Sequence, residues 1–131
     1  MSAYDTLMAF QRETEALGQV MGRLGWDQET MMPAGAAEQR AEEMAALDGV
    51  LHARRTDPRI GDWLEQVSPD GPVSERHIYK VRRAYERTQR VPADLSAALA
   101  RTTSLAHRVW AEARAQNDFA LFAPKLTEVL N

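Results

Sequence analysis

Apolar residues return every three or four positions along nearly the whole chain, and nowhere do they alternate with polar ones long enough to make a strand. A period near 3.6 gathers side chains on one face of a helix, whereas a strand needs a period of two. From Tyr4 the stripe runs Leu7, Phe10, Leu17, Met21 and Leu24, with Thr14 filling one polar place in it. β-branched residues are sparse and no internal repeat is visible. The expected class is all-α: one domain over residues 1–131, built as an array of about five to six helices in antiparallel hairpins.

The breaks between helices are marked by residues that end or start them. Ser2 with Asp5 three positions later resembles a capping box at the first helix. Pro33 and Gly35 interrupt it after Trp26-Asp27-Gln28-Glu29-Thr30-Met31-Met32. A second helix is expected from about Ala34 to Arg55, with Ala37, Ala41, Met44, Leu47 and Leu51 on its apolar face. Asp57-Pro58 reads as an N-cap followed by proline at the first helical position, opening a short third helix to about Val67. Ser68-Pro69-Asp70-Gly71-Pro72 is the clearest loop. The fourth helix is expected from about Val73 to Gln89, with Ile78, Val81, Tyr85 and Thr88 on one stripe. The fifth, after Pro92, carries Leu95, Leu99, Thr102, Ala106, Val109 and Ala113 and ends near Gln116. Asn117-Asp118 ends it and caps the next turn. A last helix is expected to begin near Pro124, and its stripe of Leu126, Val129 and Leu130 runs straight into Asn131, as if the chain were part of something longer.

Several chemistries are excluded by what is missing. The chain has 131 residues and no cysteine, so neither a disulfide scaffold nor a Cys-ligated zinc site is available. Its formal net charge of −3 argues against bulk electrostatic capture of nucleic acid. No apolar run is long enough to span a bilayer. Met1-Ser2-Ala3-Tyr4-Asp5 lacks the basic-then-apolar order of a signal peptide, so the expected location is the cytoplasm. His52, His77 and His107 are far apart in sequence, and no pair stands one helical turn apart to grip a metal. Phosphate-cradling glycine loops and nucleophile elbows are also absent.

What remains is modest. Asp27 and Glu29 beside Trp26 form a carboxylate pair that acid–base chemistry would require, but acids at a helix end ordinarily cap or hydrogen-bond. The fourth helix carries Arg76, Lys80, Arg82, Arg83, Arg87 and Arg90, which reads as a solvated face partly neutralised by Glu75 and Glu86 rather than a nucleic-acid surface. Trp63 and Trp110 flank apolar stripes and read as core or interface residues.

The string Leu24-Gly25-Trp26-Asp27-Gln28-Glu29-Thr30-Met31-Met32-Pro33 resembles the N-terminal signature of the carboxypeptidase Taq family of metallocarboxypeptidases. The resemblance continues in order through Gly35-Ala36-Ala37-Glu38-Gln39-Arg40-Ala41, Tyr85-Glu86-Arg87 with Arg90-Val91-Pro92, and Trp110-Ala111-Glu112-Ala113-Arg114. It extends over Asn117-Asp118-Phe119, Phe122-Ala123-Pro124 and Leu126. The family implies a cytoplasmic, helical, commonly dimeric enzyme that removes single residues from peptide C-termini. Its centre is a His-Glu-x-x-His helix with a downstream Glu ligand, holding zinc or cobalt that polarises the scissile carbonyl and activates a water, with the motif Glu as general base.

None of that centre is present in this sequence. The resemblance therefore implies the N-terminal helical region of a larger helical metallopeptidase, with no catalytic and no metal-binding residue of its own. Trp26, Asp27, Gln28, Glu29 and Thr30 are expected to support the wall of the substrate groove structurally. Trp63, Leu105, Trp110, Phe119 and Phe122 are expected to form an apolar patch. The missing catalytic region would cover that patch, or self-association would. No nucleic-acid or membrane partner is expected. The rival expectation is a stand-alone helical interaction module derived from the same domain.

Overall fold

The computed structural model describes all residues Met1–Asn131, as six α-helices and no strand. They are α1 (Ala3–Thr30), α2 (Ala37–Arg55), α3 (Pro58–Gln66), α4 (Pro72–Thr88), α5 (Ala93–Gln116) and α6 (Phe119–Leu130), with a single 3-10 turn, Ala34–Ala36, leading into α2. Most boundaries fall within a residue or two of those expected. At α1 the Ser2 hydroxyl accepts from the Asp5 amide at 3.1 Å, and the Asp5 carboxylate accepts from the Ser2 amide at 3.2 Å. The two bonds complete the capping box. The Ser2 hydroxyl also holds the Asp5 carboxyl below its ordinary range.

One boundary differs. The last helix begins at Phe119, five residues before the expected start, and Pro124 lies inside it. Asn117 explains the difference. It takes the left-handed conformation, φ 51°, so the Asp118 amide reaches the Ala113 carbonyl at 2.9 Å while the Asn117 amide reaches Arg114 at 3.3 Å. That pair of bonds is a Schellman ending. Asp118 then caps α6 at once, its carboxylate accepting from the Ala120 amide at 3.0 Å. One residue closes α5 and the next opens α6, which leaves no loop for the helix to wait in.

The helices pack antiparallel. α1 and α2 are joined near one end by Arg54, which donates to Thr14 Oγ1 at 3.0 Å, to the Phe10 carbonyl at 3.2 Å and to Glu13 at 3.1 Å. Its guanidinium lies 4.2 Å over the Phe10 ring. A small core gathers Leu7 and Phe10 of α1 with Ile60 and Leu64 of α3, and Ile78, Val81 and Tyr85 of α4 close over it. Full burial of a side chain such as Leu7 or Ile60 is worth about 1.5–3 kcal/mol. Trp63 belongs to this core. It is half-buried, 5.4 Å from the Phe10 ring, and so stands apart from the apolar patch it was expected to join.

The most extensive contact is between α2 and α5, which are not neighbours in sequence. Ala37, Ala41 and Ala45 are buried at successive turns of α2, and small side chains let two helix backbones approach closely. Polar ties set the register: Ser96 donates to Asp48 at 2.6 Å, and Arg101 grips Glu42 with two bonds of 2.7 and 2.6 Å. His52, buried in α2, donates from Nε2 to the Val91 carbonyl at 2.7 Å and holds the α4–α5 connection. Turning α5 to present these ties costs part of its apolar stripe. Ala106 and Ala113 are buried as expected, but Leu95 and Leu99 are exposed.

The array is thin. Its accessible surface is 8697 Å², whereas a compact monomer of this size exposes about 6,900 Å². The excess, about 1,800 Å², is roughly twice the 800 Å² or so that one protein contributes to an interface of standard size.

Candidate functional site

The Trp26–Thr30 segment forms the last turns of α1, where α1 meets the start of α2 and the middle of α5. Each of its side chains leaves the helix in a different direction. Asp27 turns to α2 and takes the Arg40 guanidinium at 2.6 Å. Arg40 also donates to the Leu24 carbonyl at 2.6 Å and to Glu43 at 2.9 Å, and its side chain is only 11% exposed. The Asp27 carboxylate, with Glu43 adding to it, raises the Arg40 pKa further and keeps it charged. Gln28 turns to α5. Its amide donates to the Ser104 carbonyl at 2.8 Å and its oxygen accepts from the Ser104 hydroxyl at 3.3 Å.

Glu29 faces His107 of α5 at 3.8 Å, an ion pair whenever the imidazole is protonated. Between them opens a concavity of about 290 Å³ floored by Met21, Gly25 and Met44. Thr30 closes on its own helix, its hydroxyl donating to the Trp26 carbonyl at 2.7 Å. Trp26 itself is 63% exposed, and Met31 beside it is exposed too. The segment is thus a clasp of three helices with an apolar tip.

Asp27 and Glu29 are therefore separated, one bound to an arginine of α2 and the other facing a histidine of α5. They do not converge on a common point where a substrate proton could pass between them. The residues do not fit a metal either. No group of three or more His, Asp or Glu side chains converges anywhere in the chain. His52 is spent on Val91, His77 Nδ1 bonds the Tyr4 hydroxyl at 2.8 Å, and His107 packs 5.8 Å from the Trp110 ring.

The apolar candidates divide. Trp110, Phe119 and Phe122 meet at the α5–α6 elbow around a notch of about 340 Å³ that also takes in Arg114. The two phenylalanine rings lie 6.3 Å apart, edge to face. Trp110 and Phe119 are exposed and Phe122 is half-buried. Leu105 is half-buried on another side of α5, beside Lys125 of α6. Leu130, read from the sequence as part of the last helix's open stripe, is exposed on the Phe119 side of α6, and Leu121, which the sequence reading missed, is exposed on the opposite side. Its missed signal was composition: α6 reads Phe-Ala-Leu-Phe-Ala-Pro-Lys-Leu-Thr-Glu-Val-Leu, with Lys125, Thr127 and Glu128 its polar residues, yet it packs substantially against α5 alone. A helix this rich in apolar residues ordinarily buries more than one side. It also missed Arg40 and Ser104, the partners that make Asp27 and Gln28 structural.

The comparisons with known proteins agree with one another. The family model of the carboxypeptidase Taq (M32) metallopeptidases matches residues 6–131. Thermostable carboxypeptidase 1 of Thermus thermophilus is 44% identical over 134 residues, which cover 98% of this chain and 26% of that protein. Thermostable carboxypeptidase 1 of Pyrococcus furiosus is 28% identical, covering 95% of this chain and 26% of its own. A solved structure described as that of CHT superposes with a TM-score of 0.66 at 28% identity, over 95% of this chain and 26% of that one. The chain thus spans about a quarter of the length of the relatives it matches.

Proposed function

The chain belongs to the carboxypeptidase Taq (M32) family of metallopeptidases, and on that premise we propose that it serves as the N-terminal helical part of a metal-dependent enzyme that removes single residues from peptide C-termini. In this reading it contributes no catalytic group. The metal, zinc or cobalt, and its ligands belong to the portion of the enzyme beyond the chain described here. That metal would supply the activated water and polarise the scissile carbonyl. The chain's part is to build a wall beside the substrate groove, with the Trp26–Thr30 clasp holding α1, α2 and α5 in register.

The observation that carries the reading is α6. Phe119 and Leu130 are exposed on one side of it, Leu121 is exposed on the opposite side, and Trp110 of α5 adjoins Phe119 across the elbow. We assign the Phe119 and Trp110 side to the contact with the rest of the enzyme. When the rest is absent, the same face is the surface through which two copies would associate. The cytoplasm is the location this reading implies, and no helix of the chain is long and apolar enough to cross a membrane.

Complementation tests it. The chain would be mixed or co-expressed with the remaining three-quarters of the Thermus thermophilus relative, and release of C-terminal residues from a blocked dipeptide followed with zinc or cobalt. We expect neither piece to be active alone and the pair to recover activity. Peptidase activity from this chain alone would overturn the reading. So would a partner fragment that neither binds the chain nor gains activity from it, since a stand-alone interaction module would behave that way.

A further inference from the structure

The outward face of α4 carries a row of four cations whose charges no acid of the chain pairs. Arg76, Lys80, Arg83 and Arg87 stand at steps of four, three and four residues, so all point away from the core that Ile78, Val81 and Tyr85 face. None of the four forms an ion pair. Glu75 and Glu86, expected to neutralise them, bridge to no cation, and the carboxylates of α1, α2 and the α3 cap Asp57 that do are committed elsewhere. Like charges at these spacings work against a helix. The row extends over about 16 Å, and its shallow trough includes the half-exposed Tyr79, with the Arg76 guanidinium 4.9 Å over its ring. The face has no neighbour within the chain, because α4 packs against α3 and α2 on its other side.

We propose that this stripe docks an extended acidic polypeptide segment. Neighbouring cations are about 4.5–6 Å apart along the helix, close to the spacing of about 6.7 Å between every second side chain of an extended strand. Three or four carboxylates on one edge of such a strand would meet the four cations in turn. The footprint favours a short acidic peptide over nucleic acid. The stripe is one helix face wide, and the whole chain, the four cations included, carries a net charge of −3, so a longer polyanion would meet a net acidic remainder. This inference does not depend on the peptidase reading, because it concerns binding by this chain alone.

The test is fluorescence anisotropy of a labelled octaglutamate peptide titrated with the 131-residue chain at low salt. Two triple variants separate the stripe from net charge: R76E/R83E/R87E, and R12E/R23E/R108E, which changes the charge equally elsewhere on exposed positions. Circular dichroism establishes that both remain helical, and R76Q/R83Q/R87Q replaces the first if reversal unfolds α4. We expect the stripe variant to bind about tenfold more weakly or worse, the control to bind within about twofold of wild type, and added salt to weaken wild-type binding. Three results would overturn the proposal: no binding of octaglutamate by wild type, equal loss in both variants, or tighter binding of a single-stranded octanucleotide through the same arginines.

Discussion

Replacing Arg40 by methionine tests whether the Trp26–Thr30 segment is a structural clasp. Methionine keeps the buried stem and removes the guanidinium. Three interactions are lost: the bond to the Leu24 carbonyl, the ion pair with Asp27 and the one-turn pair with Glu43. A carbonyl bond nets about 1 kcal/mol. The Asp27 pair is partly solvated, its carboxylate side chain 37% exposed, so it merits about 1 kcal/mol rather than the value of a buried pair. The Glu43 pair adds a few tenths at most, about 0.3 kcal/mol. Neither acceptor is stranded, because the Leu24 carbonyl sits within the α1 ladder and Asp27 can take water. The expected loss is about 2 kcal/mol, or roughly 6–8 °C in Tm for a domain of this size. Urea unfolding followed by circular dichroism at the helical band measures it. The cycle with Asp27→Asn should return a coupling of about 1 kcal/mol. A loss under about 0.5 kcal/mol, or strict additivity of the two substitutions, would refute the clasp and free Asp27 for another role.

Three further outcomes are expected. Gly22→Ala should raise stability by about 0.5–1 kcal/mol in the same assay, since a Cβ there meets nothing within 4 Å and glycine only weakens the middle of α1. Asp57 caps α3, and its bonds to Arg59 hold its carboxyl below the usual range. The stability it adds is therefore fully present above about pH 4 and is lost as pH falls through its lower folded value. Asp57→Asn should flatten that acid limb of a stability–pH curve while keeping the cap. In sedimentation at high concentration the chain should self-associate, and the Trp110→Ser/Phe119→Ser double variant should run as a monomer. A wild-type monomer at every concentration would count against α6 as an unsatisfied face.

The sequence made local events legible wherever one or two residues decide them. Ser2 with Asp5, Asp57 with Pro58, and the Ser68–Pro72 loop each act through bonds to their own neighbours, so reading them needed no knowledge of the fold. The family resemblance was equally local, carried by strings such as Trp26–Pro33. Proline was over-read at 124. In sequence it reads as a first-turn residue, yet Asn117 has already turned the chain and Asp118 has already capped the helix. The rotation of α5 was not legible at all. Leu95 and Leu99 continue a sound helical pattern toward Ala106, but in that half of the helix Ser96, Arg101 and Ser104 outcompete them by finding Asp48, Glu42 and Gln28. Those partners are 48, 59 and 76 residues away. The clasp shows the same limit: Asp27 and Glu29 looked like a pair in sequence and are divided by which helix each meets.

The uncovered face of α6 also has a history in time. The 134 residues aligned with the Thermus thermophilus relative are 26% of its length, so about 380 residues would follow in a protein of that size. A ribosome adds roughly 5–20 residues each second, which puts the remainder some 20–75 seconds behind. Helical arrays of this kind fold in milliseconds or less. The N-terminal array would therefore stand finished on the ribosome for tens of seconds, with Phe119, Leu121 and Trp110 open to any apolar surface that passes.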